Sequence, residues 1–271
     1  MDASRVLHED WKKGDVYEPY IGRWSRLVAA QFIRWLSVPA QASWLDVGCG
    51  TAALSQTIFD ASDPRSLKGI DPSSDYVEFA RGRVRDARAS FAVGDAQSLP
   101  VTSGACEVAV SGLVLNFVAE PAKMLSEMAR AVCAGGVVAL YVWDYAGKMQ
   151  LMRHFWNAAT ALDPAAHALD EGRRFPICEP NALRDLFAGA ALSAVEVIPI
   201  DIDTHFKDFN DYWTPFLGSQ GPAPAYAMSL TGPARQRLRE RIRESLPFAT
   251  DGSIPLVARA WAARGLKRGL T

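Results

Sequence analysis

Residues Asp46 to Ala53 have the types and spacing that most clearly indicate chemistry: an apolar run leads into two glycines, and a helix-forming stretch follows. Glycines at such a turn let the backbone approach a ligand closely. The first turn of the helix offers unpaired N–H groups. The spacing Gly48-x-Gly50-x-x-Ala53 satisfies the generic dinucleotide-binding pattern. A tight strand-to-helix turn without a ligand is the alternative interpretation.

Two carboxylates follow the next two apolar runs. Asp71 lies 21 residues after Gly50, where an acidic side chain can accept hydrogen bonds from both hydroxyls of a ribose. Asp95 follows the third run. Because parallel strands end at one edge of a sheet, we expect both carboxylates at the same crevice as the glycine turn.

A nicotinamide-dependent oxidoreductase accounts for the glycine turn and for Asp71, but it gives Asp46 and Asp95 no clear role. It would also need a proton donor. The Tyr-x-x-x-Lys pair of one large dehydrogenase class is absent, since Tyr145 and Lys148 are one residue too close together.

The elements that must position these residues alternate between short apolar runs and amphipathic stretches. Such alternation predicts right-handed βαβ units and a parallel sheet. Strand-like runs lie near 44–47, 68–70, 90–93, 107–110 and 137–143, and helical stretches near 52–59, 74–87 and 121–132. After Trp143 the pattern loosens, and Gly218 to Pro224 is predicted to be a flexible connector.

The composition of the 271 residues is that of a globular protein, with 49% hydrophobic and 22% charged residues. A net charge of −1 gives no basic face for nucleic acid or an anionic membrane. Four scattered cysteines form no disulfide framework or Cys-x-x-Cys metal motif. No apolar run reaches 18 residues. We therefore expect a soluble, cytoplasmic protein without nucleic-acid or membrane partners.

The chain resembles the class I S-adenosylmethionine-dependent methyltransferases of the small-molecule "type 11" kind. The resemblance rests on motifs that occur in the family's order over about 100 residues. The N-terminal stretch Tyr17 to Trp24 also resembles the helix that closes over the cofactor in many relatives. The core motifs are LDVGCGTA (45–52), GIDPS (69–73), VGDAQSLP (93–100), CEVAVSGLVLNFV (106–118) and AGG (134–136).

This resemblance implies S-adenosylmethionine as the cofactor and assigns a role to each matching residue. The glycines would admit the methionine part, Asp46 would orient its amino group, and Asp71 would take the ribose hydroxyls. Asp95 would accept the adenine amine, with the Ala96 amide facing the ring. The segment Ser111-Gly112-Leu113 would face the methionine part and the methyl group. Arg23 would pair with the cofactor carboxylate, and Tyr20 or Tyr17 would cap the cofactor. The implied cofactor-binding set is Tyr20, Arg23, Asp46, Gly48, Cys49, Gly50, Asp71, Pro72, Asp95, Ala96, Ser111 and Leu113.

A general base is not assigned by the resemblance, and the candidates are His154, Asp144 and Tyr145. We expect no metal, because the sequence has no convincing carboxylate set for one. The signature Asn/Asp-Pro-Pro-aromatic of amine-modifying relatives is missing after the fourth strand. Aromatic residues beyond Trp143 have two interpretations, an apolar acceptor pocket or a core of their own: Phe155, Trp156, Tyr212, Trp213, Phe216 and Tyr226.

We therefore predict a Rossmann-like α/β fold with a seven-stranded, mostly parallel sheet, in a single domain over 1–271. By the resemblance, the last strand is antiparallel. The predicted function is methyl transfer from S-adenosylmethionine to a small molecule at oxygen, nitrogen or carbon. An NAD(P)-dependent oxidoreductase and a non-catalytic S-adenosylmethionine-binding protein are the alternatives, and the oligomeric state is left open. The predicted parts are an N-terminal helical cap over 1–40, a cofactor-binding core over 41–145, cap insertions over 146–192 and 204–254, and last strands over 193–203 and 255–266.

Overall fold

A computed structural model describes residues 23–218 and 221–269. The chain divides into two compact units, each built from separate stretches of sequence. Of the described residues, the sheet unit comprises Ser25–Trp143, Ile177–Ile200 and 260–269. The helical unit comprises Arg23 and Trp24, Asp144–Pro176 and Asp201–Arg259.

Seven strands form one sheet, with the order β3-β2-β1-β4-β5-β7-β6. Strand β1 pairs in parallel with β2 and β4, β2 pairs in parallel with β3, and β4 with β5. Strand β7 pairs antiparallel with β5. The predicted seven-stranded, mostly parallel α/β sheet is confirmed, including its antiparallel last strand. The strands are β1 (Ser43–Val47), β2 (Ser66–Asp71), β3 (Ala89–Val93), β4 (Cys106–Gly112), β5 (Val132–Trp143), β6 (Leu192–Phe206) and β7 (Ile254–Lys267).

The helices of the sheet unit begin where the sequence supplies helix-starting residues. The Ser73 hydroxyl accepts the Tyr76 N–H at the start of α3, and Pro121 occupies the first turn of α4. One face of α4 buries Met124, Leu125 and Met128. These helices are α1 (Arg23–Leu36, whose first two residues belong to the helical unit), α2 (Ala53–Ser62), α3 (Ser74–Arg83), α4 (Pro121–Ala131) and α7 (Pro180–Gly189).

The helical unit has an aromatic core of its own. Phe155 stacks on Phe216 with ring centroids 4.5 Å apart and meets Trp156 edge to face at 5.1 Å. The Tyr212 hydroxyl donates to the Leu151 carbonyl at 2.8 Å. Of the two interpretations of these aromatic residues, the structure bears out a core of their own. Its helices are α5 (Gln150–Leu162), α6 (Glu171–Arg174), α8 (Phe209–Trp213), α9 (Pro222–Ser229) and α10 (Gly232–Ser245).

Two of the differences from the predicted boundaries have a clear physical reason. Strand β5 begins at Val132 rather than near Val137, because the glycines at 135 and 136 are built into the strand. The connector predicted over 218–224 is wrong at its end, since α9 begins at Pro222 and buries Pro222 and Pro224. Prolines predict a connector where they follow glycines, but in the first turn they are compatible with a helix.

No helix among the described residues is both long and apolar enough to cross a membrane.

Candidate functional site

The glycine turn between β1 and α2 is held by the end of β2. The N–H groups of Gly48 and Cys49 both donate to the Ile70 carbonyl, at 2.7 and 3.0 Å. Gly48 has φ +75°, and a Cβ there would lie 2.5 Å from the Val114 side chain. Gly50 has φ +49° and open space where its Cβ would be. Only glycine satisfies both the backbone conformation and the close packing at position 48.

Asp71, at the end of β2, is fastened to this turn. One carboxylate oxygen accepts the Gly50 N–H and the other accepts the Ser73 N–H, both at 2.9 Å. The side chain is buried, and burial raises the pKa of Asp71, against the opposing effect of the two backbone N–H groups. Each oxygen keeps a further lone pair for a ligand donor.

Asp46, in β1, is more deeply buried and only half satisfied. The Ser55 hydroxyl donates to Oδ2 at 2.6 Å, whereas Oδ1 is buried and has no hydrogen-bond partner among the described residues. Burial, with a smaller contribution from the negative charge of Asp71, raises the pKa of Asp46 to about 7. A buried carboxylate oxygen without a partner is costly, so this site favours a cationic ligand group.

Cys49 lies inside the turn and is not a reactive thiol. Its side chain is buried, and burial, together with the neighbouring Asp46 and Asp71 carboxylates, raises the pKa of the Cys49 thiol far above its ordinary value. Because the thiolate is the nucleophilic form, Cys49 serves as a small side chain that fits the turn.

The predicted adenine-facing segment follows β3. Asp95 is exposed, and its Oδ1 accepts the Gln97 N–H at 2.8 Å. Ala96 is half-buried and Pro72 is exposed. Strand β3 lies beside β2 in the sheet, so the structure brings Asp95 to the same edge as Asp71, while its contact with a ligand stays a prediction.

The end of β4 contributes Ser111 and Leu113. The buried Ser111 hydroxyl donates to the Val47 carbonyl at 2.7 Å, so the Ser111 side chain links β4 to β1. Leu113 has φ +63°, an uncommon conformation for leucine that costs about 1 kcal/mol or more. Its N–H donates to the Tyr141 carbonyl at 2.8 Å. Backbone strain of this kind clusters at ligand sites.

We expect Ser111→Ala to lower the free energy of unfolding by about 1 kcal/mol, because a buried hydrogen bond to the Val47 carbonyl is lost. Denaturant unfolding measures this. Ser126→Ala is the matched control, since its exposed hydroxyl bonds only within α4, and it should change stability by less than about 0.5 kcal/mol. Equal midpoints for the two variants would show that the link contributes nothing.

Comparison with known proteins identifies the part of the chain that carries this turn. Residues 45–140 match the family described as "Methyltransferase domain". These residues form a type 11 methyltransferase domain. S-adenosylmethionine is the cofactor of this class I domain family, and the glycine turn, Asp46 and Asp71 all lie within the matched residues.

Individual relatives extend the similarity beyond the methyltransferase domain. The chain is 26% identical over 260 residues to the biotin biosynthesis bifunctional protein BioHC of Cellvibrio japonicus, covering 91% of this chain and 48% of that protein. It is 27% identical over 165 residues to a trans-aconitate 2-methyltransferase of an Acidovorax species, covering 60% of this chain and 62% of that enzyme. The chain thus spans less than two thirds of either relative.

A solved structure shares the fold. The YcgJ protein of Bacillus subtilis superposes with a TM-score of 0.59 at 15% identity, over 90% of this chain and 99% of that one. Sheet order and fold similarity agree that the methyltransferase domain is Rossmann-like.

Two of the predicted cofactor-binding residues, Tyr20 and Arg23, lie outside the sheet unit or outside the described residues. Tyr20, like Tyr17, falls in the undescribed range. Arg23, in the helical unit, pairs with Asp211 at 2.9 Å, and its guanidinium carbon lies 4.5 and 4.7 Å from the Trp24 and Phe206 ring centroids. Its Nε and Nη2 atoms are buried without a hydrogen-bond partner among the described residues.

The three candidate general bases also lie in the helical unit. Both Asp144 oxygens accept backbone N–H groups, from Gly147 at 3.0 Å and Lys148 at 2.9 Å, which is a turn-capping arrangement. Tyr145 is buried, with its ring centroid 5.8 Å from that of Phe175. His154 Nδ1 lies 3.1 Å from the Ser245 hydroxyl, and burial lowers the pKa of His154.

Sequence reasoning missed Asn116, which lies in the methyltransferase domain just after β4. It occupies a 3₁₀ turn over Leu115–Phe117 and is 9% exposed. Its Nδ2 is buried without a hydrogen-bond partner among the described residues. Although Asn116 lies in the motif stretch 106–118, that motif gives it no role, because burial of the amide depends on how the turn packs. Among the described residues, no group of three or more His, Cys, Asp or Glu side chains is placed to hold a metal ion.

Proposed function

We propose that this protein transfers the methyl group of S-adenosylmethionine to a small-molecule acceptor, at oxygen, nitrogen or carbon. The observation that carries the proposal is the glycine turn with two buried carboxylates at its sides. Asp71 accepts the Gly50 N–H, and Asp46 has one oxygen that finds no hydrogen-bond partner among the described residues. A ligand with a vicinal diol and an ammonium group matches both carboxylates.

The proposed cofactor contacts follow from the chemistry of each group. Asp71 takes the ribose hydroxyls, the Asp46 oxygen takes the ammonium of the methionine part, and Asp95 takes the adenine amine. Arg23 has two buried donor atoms that find no hydrogen-bond partner among the described residues, and these fit the cofactor carboxylate. The wider proposed set adds Tyr20, Gly48, Cys49, Gly50, Pro72, Ala96, Ser111 and Leu113.

The proposed reaction is an in-line displacement at a sulfonium, which is an activated leaving group. The protein then has to hold the acceptor atom, the methyl carbon and the sulfur collinear, with water excluded. Positioning of this kind can supply about 7–11 kcal/mol of the barrier. An acceptor with a weakly acidic O–H or N–H needs a base, and His154, Asp144 and Tyr145 stay the candidates. The neutral His154 ring, with Nδ1 toward the Ser245 hydroxyl, would offer Nε2.

The small-molecule acceptor is supported by the near-zero net charge of the chain, which gives no general attraction to nucleic acid. The Acidovorax relative is named for a small tricarboxylate acceptor. We also infer that the chain works as one domain over 1–271, with 146–192 and 204–254 as cap insertions. Its cytoplasmic location stays a prediction from the cysteine content.

Incubation of the purified protein with S-adenosylmethionine and a panel of acceptors tests this function. The panel holds trans-aconitate, other small carboxylic acids, phenols and amines, and S-adenosylhomocysteine is measured by mass spectrometry. We expect multiple turnovers with at least one class. Binding of S-adenosylhomocysteine without turnover would favour the non-catalytic alternative. Quenching of NADH fluorescence on binding, with no affinity for S-adenosylhomocysteine, would favour the oxidoreductase.

A further inference from the structure

The Asn116 side chain has a hydrogen-bond donor that the described residues leave unused. The residue is 9% exposed, and its Nδ2 is buried without a partner among them. A buried donor without a partner lowers stability, and such groups in native proteins call for an explanation. A leucine of similar shape would avoid this loss, so an amide at this position points to a ligand that uses the donor.

The segment that contains Asn116 lies against the glycine turn. Val114, two residues earlier, packs its side chain where a Cβ of Gly48 would be, at 2.5 Å. Leu113 holds the start of the segment in a left-handed conformation, with φ +63°, and bonds to the Tyr141 carbonyl. The backbone from 113 to 117 therefore turns sharply at the carboxyl end of β4, which is the same edge of the sheet at which β1 ends in the glycine turn.

We propose that the Asn116 carboxamide N–H donates a hydrogen bond to an oxygen of the methyl acceptor and so orients the acceptor atom toward the methyl group. The proposal rests on the proposed function. It fits acceptors that carry a carboxylate, carbonyl or hydroxyl oxygen next to the methylated atom, or that are methylated on that oxygen. The ammonium, ribose hydroxyls, adenine amine and carboxylate of the cofactor already have proposed partners. These partners are Asp46, Asp71, Asp95 and Arg23, so the Asn116 donor is left for the acceptor.

An uncharged donor suits this task better than a lysine or arginine would. The acceptor nucleophile loses electron density as the new bond to carbon forms. A cation beside it would stabilise the electron-rich ground state more than the transition state, and this would slow the reaction. The amide N–H orients the acceptor atom and stabilises its electron-rich ground state less than a cation would. We therefore expect Asn116 to act by orienting the acceptor.

Three variants test the proposal. Asn116→Leu removes the donor and keeps the shape, and Asn116→Asp replaces the N–H donor with an acceptor. Asn157→Leu, at an exposed position of α5, is the matched control. The readouts are affinity for S-adenosylhomocysteine by titration calorimetry, thermal unfolding, and kcat and KM with the acceptor that the wild type methylates best.

We expect both Asn116 variants to lose at least tenfold in kcat/KM, while affinity for S-adenosylhomocysteine stays within about twofold of wild type. Asn116→Leu should unfold no earlier than wild type, and the control should match wild type throughout. A tenfold loss of S-adenosylhomocysteine affinity would assign the amide to the cofactor and overturn the proposal. Early unfolding of Asn116→Leu, or full activity of either Asn116 variant, would also overturn it. A wild type that binds S-adenosylhomocysteine but methylates nothing contradicts the proposed function, and this proposal falls with it.

Discussion

Asp71→Ala should weaken binding of S-adenosylhomocysteine at least tenfold. The variant loses the carboxylate that is proposed to accept two ribose hydroxyls, and hydrogen bonds to a charged group contribute about 1.5–3 kcal/mol each. It also releases the Gly50 and Ser73 N–H groups that the carboxylate holds at 2.9 Å. Titration calorimetry gives the dissociation constant directly.

The ribose contact can be separated from damage to the turn by a second ligand. The wild type should bind an S-adenosylhomocysteine analogue without the two ribose hydroxyls more weakly than it binds S-adenosylhomocysteine. Asp71→Ala should bind the two ligands with equal affinity. Asp86→Ala is the matched control, because Asp86 is a carboxylate that bonds a backbone N–H outside the site. If Asp71→Ala still distinguishes the two ligands as the wild type does, Asp71 does not bind the ribose.

We expect the wild type to bind the cofactor more weakly at low pH, and we expect Asp46→Asn to lose this pH dependence. The pKa of Asp46 in the free protein is about 7, so binding of an ammonium group beside it below pH 7 requires loss of the proton. Wild-type affinity for S-adenosylhomocysteine should therefore fall by up to about tenfold per pH unit as the pH drops from 7 to 5. The variant should bind at least tenfold more weakly at pH 8 and show no such slope.

The stability of the ligand-free protein should respond in the opposite direction. A carboxyl with a raised pKa binds its proton more tightly in the folded state, so stability is present at low pH and declines as the pH rises through about 4 to 7. Between pH 5 and 8 the wild type should lose about 2 kcal/mol relative to Asp46→Asn. Denaturant unfolding across this range measures it. Parallel curves for the two proteins would place the pKa of Asp46 near its ordinary value.

Much of the sheet follows from the sequence because its signals are local. Apolar runs and the glycines at 48 and 50 predict strands that end at a turn, and the structure confirms that arrangement. Only the family resemblance predicts the antiparallel direction of β7. This strand pairs with β5 over residues about 120 positions away in the chain, and such distant pairing leaves no local pattern in the sequence. The turn in which Asp144 accepts the Gly147 and Lys148 N–H groups has a local sequence signal, because an aspartate lies three residues before a glycine.

The candidate site was less predictable than the fold because burial is decided by distant residues. The sequence marks Asp46 as a candidate. It does not show that one Asp46 oxygen accepts the Ser55 hydroxyl while the other has no hydrogen-bond partner in the described part of the chain. Likewise, the unused donor of Asn116 results from the packing of one short turn. A buried polar atom without a hydrogen-bond partner can be recognised only from the positions of the side chains around it.

The position of β7 in the sheet has a consequence for how the chain is made. This strand comes after all the others in the sequence, yet it lies between β5 and β6. During synthesis, β5 and β6 both leave the ribosome before β7, the strand that separates them. Until β7 pairs with them, each has a row of unpaired backbone groups and exposed apolar side chains. Such open edges invite pairing with other chains, so the nascent protein is prone to aggregate until β7 has been made, has left the ribosome and has paired. A chaperone that binds apolar segments should act on it in that interval.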